Sequence, residues 1–472
     1  MTARNQVAEG NAKSKYLDEV SGQTVPAGYK QTEVGVIPED WGVYSISEVV
    51  KRTQLGGNYG NSESETDYPL IKMGNLDRGS IKLDKLEYVT STPHKNDLLQ
   101  YGDVLFNTRN TLELVGKIAI WRDELPQAYF NSNLMRLTFN EKLVASGFYM
   151  NAVMNTKCFI TALAGIATGT TSVAAIYTRD LFTLKIGLAR KEEQTPIANV
   201  LSDVDMLINE SEKLIAKKQA IKTAAMQQLL TGRTRLCQFS LRKDGTKKGY
   251  KQSEQGEIPE DWDVKCIGDF TDCTAGGTPS TSILSYWGGE NPWMSSGELH
   301  LKRIYDVAER ITDEGLAKSS TKYVPENSVL MGLAGQGKTR GTVAISKILL
   351  CTNQSIAAIF PSAKHSTDYV YYNLDQRYEQ LRGLSTGDGG RGGLNLTIIR
   401  NLLIPLPSIE EQTAIAAILS DMDTEIKTLQ QRLTKTRQIK QGMMQELLTG
   451  KTRLIKPQPS YSANDRKEYA HE

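Results

Sequence analysis

Apolar positions recur with helical spacing in two stretches of the chain. Between Thr413 and Leu448, the residues Leu419, Met422, Ile426, Leu429, Leu433, Thr436, Met443 and Leu447 follow one another in steps of three, four or seven. That is the seam of a coiled coil, and the stretch holds no proline and only Gly442 against the helix. An earlier stretch carries a broader stripe, with Leu201, Ile208 and Ile215 beside Leu207, Leu214 and Ile221. Each predicted helix starts near an "EEQT" and stops at the glycine of an "LLTG", so that Gly232 and Gly450 serve as C-terminal caps. Elsewhere the pattern changes. Short β-branched and aromatic runs, such as "GDVLFNTRN", "GKIAIW" and "YFNSNLMRLTF", alternate with Gly, Asn, Asp and Pro, as small strands joined by turns do.

The helical stretches are copies of each other. "LLTGRTRL" at 229–236 returns as "LLTGKTRL" at 447–454, and about half of the positions from 192–236 match those of 410–454 without a gap. "YKQTEVGVIPEDW" at 29–41 likewise returns as "YKQSEQGEIPEDW" at 250–262. One module of roughly 200 residues has been duplicated, a period too long for a solenoid. Between the shared phrases the copies diverge but keep the same punctuation: "NSVLMGLAGQGKTRG", "TVAIS" and "LLCTNQSIAAIF" stand where the first copy has its own three runs. Each copy then reaches a loop of small residues, "ATGTTSVAA" or "STGDGGRGGLN", before its last strand.

These boundaries predict an N-terminal tail (1–28), a first variable domain (29–191), a helix (192–236) and a linker (237–249). A second variable domain (250–409), a second helix (410–454) and a C-terminal tail (455–472) follow. The expected fold class is α+β, with two similar mixed α/β domains joined by two long helices in an antiparallel coiled coil of pseudo-two-fold symmetry. Antiparallel pairing gives each helix the partner stripe that its own module lacks. From Leu201 to Leu230 such a helix runs about 45 Å, on the order of one and a quarter turns of duplex DNA.

Composition narrows the class without naming it. The hydrophobic and charged fractions, 39% and 23%, are those of a globular protein, and no apolar run is long enough to span a bilayer. Five scattered cysteines, Cys158, Cys237, Cys266, Cys273 and Cys351, point to a reducing cytoplasm rather than a disulfide scaffold. Fifty-six basic against fifty-four acidic residues neither demand nor exclude nucleic acid. No catalytic constellation emerges. The chain has no Pro-Pro pair for a base-clamping methyltransferase motif and no G-x-S-x-G elbow, and His94, His300, His365 and His471 lie in no metal-like spacing. "GLAGQGKT" at 332–339 matches the phosphate-loop pattern, but "RGTVAIS" after it reads as a strand where that motif needs a helix. The segment is expected to be a polar hairpin tip.

The ordered duplication of "GVIPEDW" and "GEIPEDW", of "EEQT", and of "LLTGRTRL" and "LLTGKTRL" resembles the specificity subunit of Type I restriction-modification enzymes, over nearly all of 29–454. The resemblance implies two target-recognition domains, each reading half of a split, asymmetric duplex DNA site. It implies no catalysis, metal or cofactor in this chain. Two modification subunits would transfer methyl groups from S-adenosylmethionine, and motor-nuclease subunits would use ATP and Mg2+. Arginine and lysine can neutralise phosphate or pair with guanine, and asparagine or glutamine can pair with adenine. On that basis the DNA-facing candidates of the first module are Lys72, Asn75, Arg78, Asn107, Arg109 and Asn110, with the loop residues Thr168, Gly169 and Thr170. Those of the second are Ser296, Lys302, Arg303, Gln336, Lys338, Arg340 and Arg391. Trp41, Trp262, Tyr44 and Phe270 are expected in the core. The competing classes are a duplicated protein-binding scaffold and a nucleotide hydrolase built on 332–339.

Overall fold

The computed structural model describes residues 25–335, 338–384 and 393–455, and the chain divides into two units. Unit 1 takes residues up to 210 together with those from 433 onward; unit 2 takes 211–432.

Unit 1 opens with the hairpin of β1 (Tyr29–Thr32) and β2 (Gly35–Pro38), followed by β3 (Gly42–Ser45). Next come β4 (Val50–Leu55), β5 (Val104–Asn107), the short β6 (Arg109–Asn110), β7 (Ile118–Ile120) and β8 (Leu134–Phe139). Four of these build an antiparallel sheet in the order β7-β5-β8-β4. The sheet is covered on both faces, which is why β5 reads as a continuous apolar run rather than an alternating one. Val104 and Phe106 face a core shared with α1 (Gly147–Met154), while Leu105 packs with Trp121 and Leu134 on the other side. A hairpin of β9 (Thr168–Gly169) and β10 (Ala174–Ala175) follows, and β11 (Lys185–Leu188) returns to pair with β3. The long helix α2 (Lys191–Leu229) comes next.

Unit 2 repeats the plan. The hairpin of β12 (Tyr250–Ser253) and β13 (Gly256–Pro259) precedes β14 (Asp263–Cys266). The central sheet uses β15 (Cys273–Ala275), β16 (Arg303–Ile304), β17 (Val329–Gly332), β18 (Val343–Ser346) and β19 (Ile356–Ile359) in the order β15-β19-β17-β18-β16. Apart from the added edge strand β16, this is the order of unit 1. Ser366 caps α3 (Thr367–Asp375) by accepting from the Tyr369 amide, as Ser146 caps α1 by accepting from Tyr149. The last strand, β20 (Leu403–Leu406), pairs with β14, and α4 (Ile409–Leu447) is the second long helix.

Each unit contains one end of both long helices, packed side by side. In unit 1, Ile197, Ala198 and Leu201 of α2 share a core with Leu447 and Leu448, and Asp205 takes an ion pair from Lys440. In unit 2, Met226, Leu229 and Leu230 share a core with Ile415, Ala416 and Leu419. There Lys218 pairs with Glu425 at 2.7 Å and Lys222 with Asp423, so α2 ascends where α4 descends. Of the expected seam, Leu201, Ile215, Leu419, Ile426, Leu433 and Leu447 are buried, while Ile208, Met422, Leu429 and Met443 are half-buried. Leu207, Leu214 and Ile221, expected beside them, are 56%, 40% and 44% exposed. A two-helix seam occupies a narrow stripe about two positions wide in seven, and these three residues lie beyond its edge.

The repeated phrases meet in a buried polar cluster, once per unit. In unit 1 the Trp41 indole N–H donates to the Glu193 carboxylate at 3.2 Å. Arg453 donates two bonds of 2.8 Å to Glu193 and two of 2.9 Å to Asp40. Unit 2 repeats the arrangement: Trp262 donates to Glu411 at 3.1 Å, and Arg235 forks between Glu411 and Asp261. The glutamine of each "EEQT" pins its helix to the loop ahead of the preceding helix. Gln194 accepts from Ala145 N and donates to Leu143 O and Ala189 O; Gln412 accepts from Ser366 N and donates to Pro407 O. Gly450 (φ +70°) and Gly232 (φ +71°) cap their helices in the left-handed region. A Cβ on Gly450 would also collide with Pro38, and one on Gly232 with Pro259.

Unit 2 also holds a buried histidine. His365 lies in the turn before α3, its Nδ1 3.0 Å from Ser362 Oγ and its ring edge-on to Phe270. Burial pushes its pKa from 6.5 down to about 4.

Two predictions follow from these contacts. Arg453→Ala leaves Glu193, at 1% exposure, without its guanidinium. It should cost about 3–5 kcal/mol of stability in urea titration. Hydrogen exchange should quicken in unit 1 for Arg453→Ala and in unit 2 for Arg235→Ala; equal acceleration of both units by either variant would contradict the assignment of one clamp per unit. His365 is neutral in the folded chain and becomes protonated on unfolding once the pH falls below about 6.5. Its contribution is therefore present above pH 6.5 and declines by about 1.4 kcal/mol per pH unit as the pH falls towards 4. His365→Asn should flatten the stability profile relative to the parent in that window, and parallel profiles would refute it.

Candidate nucleic-acid interface

In unit 1 the structure brings part of the candidate set together. β6, β9 and β10 form one small antiparallel sheet in the order β9-β10-β6, placing Arg109 and Asn110 beside the hairpin of Thr168, Gly169 and Thr170. Gly169 has φ +135°, and a Cβ there would strike the Val173 carbonyl, so the tight hairpin requires glycine. The Thr170 amide bonds Val173 O at 2.8 Å, and the Leu112 amide bonds Thr171 O at 3.2 Å, tying the tip to the segment after β6. Arg109 and Thr168 to Val173 are exposed. Beside them lies an open groove of about 260 Å³ lined by Arg109, Asn133, Tyr177, Thr178 and Leu55. A guanidinium, several hydroxyls, backbone amides and a half-exposed tyrosine suit phosphate oxygens and base edges together. Leu55, Val173 and Tyr177, exposed by 56%, 66% and 54%, were not among the sequence candidates. Nothing in a single sequence marks an apolar residue as exposed.

The other unit 1 candidates are paired internally or lie apart from this surface. Asn75 is buried: its amide donates to Lys82 O and Asp84 O and its oxygen accepts from Lys72 N. Asn107, also buried, donates to Leu114 O and accepts from Arg109 N. Both hold turns together and present no free edge to a base. The Lys72 ammonium is paired with Glu87 at 2.8 Å. Arg78 lies with Phe148, Asn151 and Asn155 against α1, in a separate cleft that shares no residue with the Arg109 groove.

Unit 2 distributes its candidates differently. Lys302 (φ +63°) pairs with Asp375 at 2.7 Å. Arg303 pairs with Asp368 at 2.7 Å and stacks on Tyr371, with its guanidinium carbon 4.1 Å from the ring centre. These two cations brace β16 against α3. Ser296 is half-buried in a short 3-10 turn, Lys338 is exposed, and Arg340 is 9% exposed. Gln336 and Arg391 lie outside the described residues, as does most of the "STGDGGRGGLN" loop. Around 332–339 the chain passes from β17 to its antiparallel neighbour β18, so a strand stands where a phosphate loop would open a helix. Its rim is held by Tyr378, whose hydroxyl donates to Lys338 O and accepts from Arg382. Tyr378 and Arg382 are further residues that sequence reasoning missed.

Trp41, Trp262 and Phe270 are buried and Tyr44 is half-buried, as core residues. Among the described residues no group of three or more His, Cys, Asp or Glu is placed to hold a metal, and no helix is long and apolar enough to cross a membrane.

Comparison with known proteins agrees with the duplicated plan. A protein of Methanocaldococcus jannaschii named as the specificity subunit of a type I restriction enzyme, MjaX, is 28% identical over 434 residues, spanning 90% of this chain and 97% of its own length. The MjaVIII specificity subunit of the same organism is 24% identical over 430 residues, 89% of this chain and 94% of its own. The solved S subunit of a Type I restriction-modification system from M. genitalium shares the fold with a TM-score of 0.57 at 13% identity, covering 90% of this chain and 98% of that one. The family model described as the Type I restriction modification DNA specificity domain matches twice, over 38–223 and 259–438, once on each copy of the duplicated module. With both copies accounted for, the chain belongs to the family of Type I restriction-modification DNA specificity subunits.

Proposed function

We propose that this chain is the non-catalytic recognition component of a Type I restriction-modification complex and that it reads a split, asymmetric duplex DNA target, one half with each variable domain (29–191 and 250–409). The observation that carries this reading is the contrast between the two units. Their central sheets keep one strand order apart from β16, and their caps and buried clamps match, while the surfaces between differ: an exposed Arg109 sheet with a threonine hairpin in one, and the loop between β17 and β18 braced by Tyr378 in the other. A shared frame with different polar surfaces fits two different half-sites. In this reading the long helices set the spacing between the half-sites and offer their polar faces to two modification subunits, with motor-nuclease subunits completing the complex. S-adenosylmethionine, ATP and Mg2+ belong to those partners. Five cysteines without disulfides agree with work in the cytoplasm.

The test is exchange of residues 44–191 for the matching region of a relative with another specificity, co-expressed with the methylation partners. Sequencing of the methylated bases should show one half of the motif changed and the other retained; a change in both halves would contradict independent reading. Arg109→Ala should weaken duplex binding by about 1–3 kcal/mol at one base position if the guanidinium reads guanine, or lower the salt slope by about one if it binds phosphate. Salt-independent association, or none, would favour a protein-binding scaffold instead.

A further inference from the structure

The shared Ser-Tyr caps align Phe148, Asn151 and Ala152 of α1, with Asn155 at its C-terminal cap, with Asp368, Tyr371, Tyr372 and Asp375 of α3. In unit 2 this helix face is electrically closed. Asp368 neutralises Arg303, Asp375 neutralises Lys302, and the Tyr372 hydroxyl donates to Asp423 at 2.7 Å. Unit 1 presents cations to the same face but has neither carboxylate nor the tyrosine. Phe148 and Asn155 replace the two aspartates, and Ala152 replaces the ring of Tyr372.

The consequence is a cleft of about 100 Å³ lined by those residues with Arg78, Arg122, Asp205 and Lys440. Asp205 is shared by Arg122 at 3.1 Å and Lys440. Arg122 also donates to Gly79 O at 3.0 Å. Arg78 has no ion pair or hydrogen bond from its guanidinium to the described residues, and its Nη1 is buried. Arg303 also has a buried nitrogen without a partner, but its charge is paired. Asp77, next to Arg78, is taken by Lys82 and Lys117, and Glu124 receives the backbone N–H of Arg122. In the same cleft, the buried Asn155 Oδ1 lacks a donor, because its amide nitrogen is spent on Ile118 O and Asn151.

We propose that this cleft binds a monoprotonated phosphate group, with Arg78, Arg122 and Lys440 facing its anionic oxygens and its one hydroxyl donating to Asn155 Oδ1. An unpaired guanidinium and an unpaired acceptor in one cleft ask for a ligand that is both anion and donor. Monohydrogen phosphate is such a group near neutral pH, as is a phosphomonoester in its singly protonated form, which is the minor species above a pKa of about 6; sulfate is not. The same face of unit 2 is not expected to bind an anion, because Asp368 and Asp375 already neutralise Arg303 and Lys302 there.

Binding of inorganic phosphate to the full chain can be followed by 31P line broadening and by phosphate-dependent thermal stability against chloride at matched ionic strength. Saturable binding is expected, with sulfate at least tenfold weaker. Arg78→Gln and Ala152→Tyr should each weaken it about tenfold or more. Asn155→Asp, which installs the carboxylate that α3 carries, should abolish it while circular dichroism stays native, and Arg303→Gln should leave it unchanged. A phosphomonoester that displaces phosphate would identify the terminal group of a larger molecule as the ligand; failure to displace it would identify the free ion. Absence of saturable binding, equal binding of sulfate, or native affinity in folded Arg78→Gln and Asn155→Asp would overturn the site.

Discussion

A carboxylate with almost no access to water cannot stay charged without a partner, and Glu193 and Glu411 are 1% and 2% exposed. Each sits in the first turn of a long helix, and each is satisfied by an arginine that follows the end of the other long helix. Unit 1 therefore cannot be completed by its own first 210 residues. It needs Arg453, from the far end of the chain, to neutralise Glu193 and to hold the Asp40 carboxyl below its ordinary value through their hydrogen bonds. The tryptophan of "PEDW", the second glutamate of "EEQT" and the second arginine of "LLTGRTRL" are the three corners of this contact. That accounts for the recurrence of all three phrases: one buried clamp is built twice, and each building needs a full set of letters.

The remaining letters have equally local reasons. The leucines of "LLTG" enter the core of the unit, the glycine takes a conformation other residues resist while lying against a proline, and the threonine after it turns the chain back. Thr234 N reaches Gln228 O, and Thr452 N reaches Glu446 O, each at 3.2 Å. Substituting Trp41, Glu193 or Arg453, by contrast, removes a group whose partner lies in another phrase, far away along the chain.

This explains how much was legible in the sequence. The duplication, the helix ends and the strand-rich variable regions could be read because duplication prints its constraints twice. The width of the helix seam could not, since Leu207, Leu214 and Ile221 satisfy the same local periodicity as their buried neighbours and differ only in what lies opposite. The candidate site was legible in part for a related reason. That Arg109 and the hairpin at 168–170 lie exposed was readable because loops of small residues run over the surface. Asn75 and Asn107 have the same side-chain chemistry as a base-reading asparagine, but their hydrogen bonds are consumed by backbone groups of nearby turns, which meet the side chain only once those turns have folded. Residue type indicates what a group can bind; only the fold indicates whether that capacity is already spent.

The same distinction separates the frame from the surfaces. In the frame the strongest polar groups are paired internally, as with Glu193 and Arg453 or Gln194 and the Ala145 amide. Such groups cannot change singly. On β6 and the β9-β10 hairpin, by contrast, the side chains of Arg109 and Thr168 to Ser172 are exposed, and the sheet is held by backbone bonds that any residue except proline supplies. Gly169 is the exception, fixed by its own backbone. Variation at these exposed positions alters the surface while leaving the clamp and sheet intact, so unit 1 can acquire a new surface chemistry without first solving its folding again.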